Sequence, residues 1–331
     1  MFGYIIRRLI SGVLVLLVVS VSVFALFFYG PSDPALAYCP ETRCTPQRLE
    51  AVRTSLGLDE PVVQQYTDYM AGIFTGNDFQ LGSIAIECPA PCLGVSFKLR
   101  LPVTEYLISR FPATLSLALG GAVIFLTTGV GMGIMAARKR GTGTDKGIVG
   151  VSLFINAIPY YLLALLAYLF LISQWAIFPE SGYYGPFTEG PLAWVKGMLL
   201  AWLVIGLSYS TQYARFSRGS MIESLNEDYV RTARAKGLSE RQVTLKHGLR
   251  AAIVPVVTIF GLDFAYLLTG TIFTERIFGI QGIGVTALDA IGNKDLPVIS
   301  ATVLIAAAFI VVANIIVDII YSVIDPRVRL T

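Results

Sequence analysis

Six stretches of this chain, 10–28, 113–137, 147–173, 197–214, 251–273 and 296–317, together hold a single acidic or basic side chain, Asp263. Each is close to the roughly 20 residues a helix needs to cross about 30 Å of hydrocarbon. None alternates polar and apolar residues as an outer-membrane barrel strand does. In lipid a backbone N–H or C=O finds no outside partner, so such runs must close their hydrogen bonds internally, as helices. The fold class expected is therefore an all-α polytopic membrane protein with six transmembrane helices. A content of 55% hydrophobic and 14% charged residues excludes an ordinary soluble domain.

Basic residues orient the spans. With both termini in the cytoplasm, the inner segments hold 16 of the 25 Lys and Arg residues, Arg138, Lys139 and Arg140 among them, as the positive-inside rule requires. The outer segments carry 14 acidic residues. The net charge of +3 thus conceals a strong sidedness and gives no sign of nucleic-acid binding. Arg7 and Arg8 ahead of the first run imitate a signal peptide, but the run is long for one and lacks a small-x-small cleavage site. Gly30-Pro31-Ser32-Asp33-Pro34 ends it at the outer surface, which fits a retained anchor. Three regions follow: 1–30 as N-terminus and first span, 31–106 as an extracytoplasmic loop subdomain, and 107–331 as a core of five spans.

All four cysteines, Cys39, Cys44, Cys88 and Cys92, fall in that outer loop. An even number of thiols on an oxidising face predicts two disulfides, with three pairings open. A four-cysteine zinc site is the competing reading, although the spacings are looser than paired C-x2-C. Residues 46–53 and 61–74 have the pattern of two short amphipathic helices, with Leu56-Gly57-Leu58-Asp59 as the turn between them. The loop is expected either to dock an extracytoplasmic partner or to cap the bundle.

The fourth and fifth runs are separated by a charged, helix-prone insert, 223–248. Glu227 and Asp228 suit a helix N-terminus, where unsatisfied N–H groups favour negative charge. Ala233 and Ala235 offer a smooth close-approach surface, with Arg231, Arg234 and Lys236 toward the C-terminal end. Gly237 stands where helices stop on a left-handed residue, and Ser239 with Gln242 forms a capping box for a second helix.

Asp228-Tyr229-Val230-Arg231-Thr232-Ala233-Arg234-Ala235-Lys236-Gly237, with His247, Leu249, Arg250 and Pro255 further on, resembles the EAA loop of binding-protein-dependent ABC importers. Arg231, Thr232 and Ala233 take the E-A-A places, and Arg250 stands where the general pattern has proline. This form, with Tyr4-Ile5-Ile6-Arg7-Arg8-Leu9, Leu56-Gly57-Leu58-Asp59-Glu60-Pro61, Phe273-Thr274-Glu275-Arg276 and Asp325-Pro326-Arg327, is similar to the peptide branch, in particular its first permease subunit. Nickel importers share that branch, so a metal or another small solute is the alternative cargo. The resemblance implies a bacterial inner-membrane protein that translocates di- or oligopeptides by alternating access. It implies a second, homologous permease subunit, an extracytoplasmic binding protein and two cytoplasmic ATPase subunits or domains, which would carry ATP and magnesium. No cofactor is expected on this chain. Residues 82–95 match the family least and read as an insertion.

Asp263 is costly inside a span unless paired or hydrated; it is expected to face the translocation path, contact a partner subunit, or make a structural hydrogen bond. Asn156 and Pro159 interrupt the third span and either line the path or only bend the helix. Gly129, Gly131 and Gly133 are expected to permit close helix packing. Two glycine-rich segments, 141–147 and 279–284, lack phosphate-loop or dinucleotide spacing. His247 is the only histidine, so neither a metal centre nor a catalytic constellation is expected. An ion-coupled transporter would call for more membrane carboxylates and inverted repeats.

Overall fold

Over most of their length the apolar runs close their own hydrogen bonds as helix, as lipid requires, with breaks at residues 158–159 and 269–271. The computed structural model describes residues 2–29, 35, 45–55, 58–81, 84–96 and 98–324. Cys39, Cys44, Leu56, Gly57, the 30–34 breaker and the Asp325-Pro326-Arg327 motif lie outside the described residues.

Along the chain, α1 (Phe2–Tyr29) is followed by α2 (Pro46–Ser55), α3 (Val62–Thr75) and a hairpin of β1 (Asn77–Leu81) and β2 (Ile84–Cys88). Next come α4 (Val103–Arg138), α5 (Gly143–Ala157), α6 (Tyr160–Gln174) and α7 (Pro191–Leu225). The chain continues with α8 (Asp228–Ala235), α9 (Glu240–Leu268), α10 (Ile272–Ile277), α11 (Ile283–Gly292) and α12 (Leu296–Ile324). Five of these, α1, α4, α7, α9 and α12, are long and apolar enough to cross a membrane, and a bent pair, α5 with α6, makes up to a sixth.

That pair departs most from expectation. It meets at 91°, where a mild kink would have sufficed for one missing N–H. Proline restricts the residue before it, driving it out of the helical region. Ile158 accordingly sits at ψ 125° and Pro159 itself at ψ 132°, so two consecutive extended residues turn the chain through a right angle. Short π-helical turns at Leu126–Val130, Tyr168–Gln174 and Val243–Gly248 were not foreseen.

The chain divides into two compact units. The first, residues 115–281 with 313–324 of the described chain, is built on a seam between α4 and α7. Its glycines stand where a Cβ has no room. At Gly129 it would lie 2.9 Å from the Ser210 carbonyl oxygen; at Gly133 it would lie 2.7 Å from that of Ala214. Gly120 and Gly121 likewise receive Trp202 and Ile205. With no hydrophobic drive between helices in lipid, such close approach supplies the dispersion contacts that hold them. Gly131 has open space around it and takes no part.

The second unit contains residues 2–114 and 282–312. Ser20 and Tyr66 are hydrogen-bonded at 2.8 Å, joining α1 to α3, and Phe24 packs edge-on to Tyr66. Leu93, Val103, Leu107, Ala290, Val298 and Ala301 form its buried core. Cys88 and Cys92 form a disulfide, and this removes both thiols from a four-cysteine zinc site. β1 and β2 pair antiparallel with Leu81 opposite Ile84. The segment that reads as a family insertion therefore contains the second strand of a hairpin, an element absent from the all-helical expectation.

Candidate functional site

The insert is a helix standing on a small core of its own. Helix α8 starts at Asp228 after the extended Glu227 and ends beside Gly237, whose φ is +77°. The capping box is present: Ser239 Oγ accepts from the Gln242 N–H, and the Ser239 N–H donates to Gln242 Oε1 at 3.3 Å. The second helix is not a separate piece lying on the membrane. It runs through the π turn into the fifth span as one element, α9.

Val230, Ala233 and Val243 are buried together with Leu225 against them. Ala233 thus spends its small side chain on approach within this chain rather than at an outer surface. The outward face of α8 is formed by Tyr229, Arg231, Thr232, Ala235 and Lys236, all exposed. Arg234 reaches back, donating from Nε to Glu240 Oε1 at 3.0 Å and from Nη1 to the Leu225 carbonyl at 3.4 Å. Asp228 and Arg231 form an exposed pair at 3.4 Å, of a kind that contributes little to stability. Ser224 Oγ donates to the Gly248 carbonyl at 2.7 Å and lies 3.0 Å from the Tyr229 hydroxyl. The insert is thereby clamped between the end of α7 and the start of α9. A polar cleft of about 440 Å³ opens beside it, lined in part by Arg138, Arg140, Asn226 and Glu240.

Sequence reasoning missed the tie between α5 and α7. Asp145, in the first turn of α5, accepts a bidentate pair from Arg218 of α7: Nε to Oδ1 at 2.6 Å and Nη2 to Oδ2 at 2.8 Å. The Gly141 N–H adds a third bond to Oδ2 at 2.9 Å. Such forked pairs fix orientation as well as add energy. The two residues are far apart in sequence, so no local spacing announces them.

Within the membrane portion, Asp263 of α9 is half-buried. Tyr213 of α7, itself buried, donates its hydroxyl to Asp263 Oδ2 at 2.9 Å. Phe125 packs on Tyr213 and Tyr209, at ring separations of 4.7 and 5.3 Å, and Phe260 closes the same group. Tyr209 precedes Tyr213 by one turn on α7, and Tyr266 follows Asp263 by about one turn on α9. Tyr209 and Tyr213 stand one helical turn apart in an apolar run, but nothing local in the sequence ties them to Asp263. Asn156 and Pro159 are exposed at the α5–α6 bend and make no hydrogen bond to Asp263.

These features define a polytopic helical membrane protein that carries a braced, charged helix between two spans, and the comparisons name the class. The chain belongs to the binding-protein-dependent transport system inner membrane component family: residues 129–330 match its main region, and residues 1–118 match its N-terminal one. In this family the transmembrane chain is not the ATPase, and ATP hydrolysis belongs to partner subunits. A putative peptide transport system permease of Brucella abortus (strain 2308) is 35% identical over 329 residues, 99% of each chain. The dipeptide transport system permease DppB of Escherichia coli K12 is 33% identical over 351 residues, again covering 99% of each. An inward-facing structure of the MetNI methionine ABC transporter shares the fold, with a TM-score of 0.55 at 13% identity, covering 67% of this chain and 97% of its own.

Proposed function

We propose that this chain is the permease subunit of an ATP-driven importer of di- or oligopeptides, working by alternating access. The observation that carries the reading is the exposed ridge of α8, Tyr229, Arg231, Thr232, Ala235 and Lys236, standing on a packed base in a chain whose full-length relatives are peptide permeases. The ridge meets a groove on the ATPase. Asp228, Ala233, Arg234 and Gly237 hold its geometry. Because α8 is clamped to α7 and α9 through Ser224 and Gly248, a push on the ridge moves two spans together.

Both termini and the insert face the cytoplasm on this reading, in keeping with the basic residues around them. Two ATPase subunits, a second homologous permease and an extracytoplasmic binding protein complete the machine. The outer loop, 31–106, supplies the face toward the binding protein. Asp263 borders the path that cargo takes, with Asn156 and Pro159 at the bend that shapes it.

Reconstitution tests this directly. Proteoliposomes holding the complete complex and the binding protein should accumulate a labelled tripeptide only when ATP is on the insert side. Uptake should persist with a protonophore present. Uptake that needs an ion gradient and ignores ATP would overturn the reading.

A further inference from the structure

Asp263 is half-buried in a run, 251–273, that contains no Lys or Arg, and among the described residues no cation pairs with it. Its one hydrogen bond comes from Tyr213, to Oδ2. The other oxygen, Oδ1, accepts nothing from the described residues, and the side chain is only half-buried. A carboxylate at the centre of a span costs about 2.5–3.5 kcal/mol on insertion scales, and one neutral donor offsets only part of that. What remains is a negative site open on one side.

Its surroundings suit a cation. Tyr266, 63% exposed, follows Asp263 by about one turn on α9, and Tyr209 precedes Tyr213 by one turn on α7. Phe125 packs on both Tyr209 and Tyr213, and Phe260 packs on Phe125. Aromatic faces attract desolvated ammonium groups by about 2 kcal/mol or more. They also exclude water, which strengthens the pull of the acid.

We propose that Asp263, with Tyr209, Tyr213 and Tyr266, is a cation-recognising station that takes the α-ammonium group of a passing peptide. This rests on the peptide-import reading above. The chemistry fits a sequence-tolerant importer, because every unblocked peptide presents that group whatever its side chains are. Tyr213 acts as a positioning residue, holding Oδ2 and leaving Oδ1 to the cation.

The test uses the complete transporter in detergent, without the binding protein, and reads the thermal shift caused by a tripeptide with a free N-terminus and by its N-acetylated form. The free tripeptide should stabilise the wild type, and the acetylated one should not. Asp263→Asn should weaken apparent affinity for the free tripeptide about 30-fold or more, while Asp263→Glu keeps most of it. Equal shifts from both peptides, or from neither, in the wild type would overturn the proposal, and these need no variant to fold. An Asp263→Glu complex that assembles but has lost the shift would also overturn it. If the ammonium-dependent shift stands while no peptide is imported with ATP, it is the import reading that fails and the cation site that survives.

Discussion

The seam between α4 and α7 and the insert around α8 both depend on small residues, yet they use them in opposite directions. In the seam, Gly129 and Gly133 are small because the neighbouring backbone of α7 is already there. In the insert, Ala233 is small because it is buried against Val230 of its own helix and Val243 of α9. Ala235, two residues on, is small on an exposed face. Gly237 has nothing within 4 Å and is needed only for its positive φ. A small side chain acquires its role from what it faces, and the seam and the ridge face different things.

The largest effect that would break this contrast lies in the seam. Gly133→Leu places a branched side chain where the carbonyl of Ala214 and the N–H of Arg218 already stand. Overpacking of even a few methylenes costs about 1–3 kcal/mol, and here the obstacle is backbone. No monodisperse, folded permease should be recovered by size exclusion; a normal peak with normal uptake would show that the seam is loose.

A pair of insert variants sharpens the contrast. Ala233→Asp buries a charge without a partner, which costs several kcal/mol, so limited proteolysis should cut the insert. Ala235→Asp should leave it as resistant as the wild type. Both should abolish uptake, the first by unfolding the ridge and the second by spoiling its surface.

Removal of the Asp145 charge comes next. Asp145→Asn loses the forked bond to Arg218 and should lower the thermal midpoint by several degrees. Asp228→Asn, on an exposed pair, should leave it within about a degree.

The smallest expected effect separates the two kinds of glycine. Gly237→Ala forces a left-handed conformation at about 1–2 kcal/mol. Gly131→Ala, in open space within a helix, should stabilise by about 0.5–1 kcal/mol. Thermal midpoints of the two variants moving the same way would contradict this assignment.

Much of this was legible in the residues, for reasons that can be named. The spans announce themselves because lipid demands long apolar runs. The capping box and Gly237 were readable because caps are local. Asn156 and Pro159 marked the broken span, but its 91° bend arises from Ile158 being driven to extended backbone as well, a joint effect of neighbours. The hairpin left only a faint trace, since its strands, Asn77–Leu81 and Ile84–Cys88, are short and sit in a helical context. The inward turn of Ala233 was available too, since Val230 and Ala233 are three apart and share one helix face. The ion pair of Asp145 with Arg218 and the bond from Tyr213 to Asp263 were not, because each joins distant parts of the chain that only folding brings together.

The most direct test of the central claim, that the exposed ridge of α8 is the docking surface for the ATPase, is affinity purification of the chain from its native membrane, as wild type and as Ala235→Asp. The ATPase should accompany the wild type and be lost from the variant, while the second permease subunit remains with both. An ATPase retained by Ala235→Asp at wild-type stoichiometry, with peptide uptake intact, would contradict the claim.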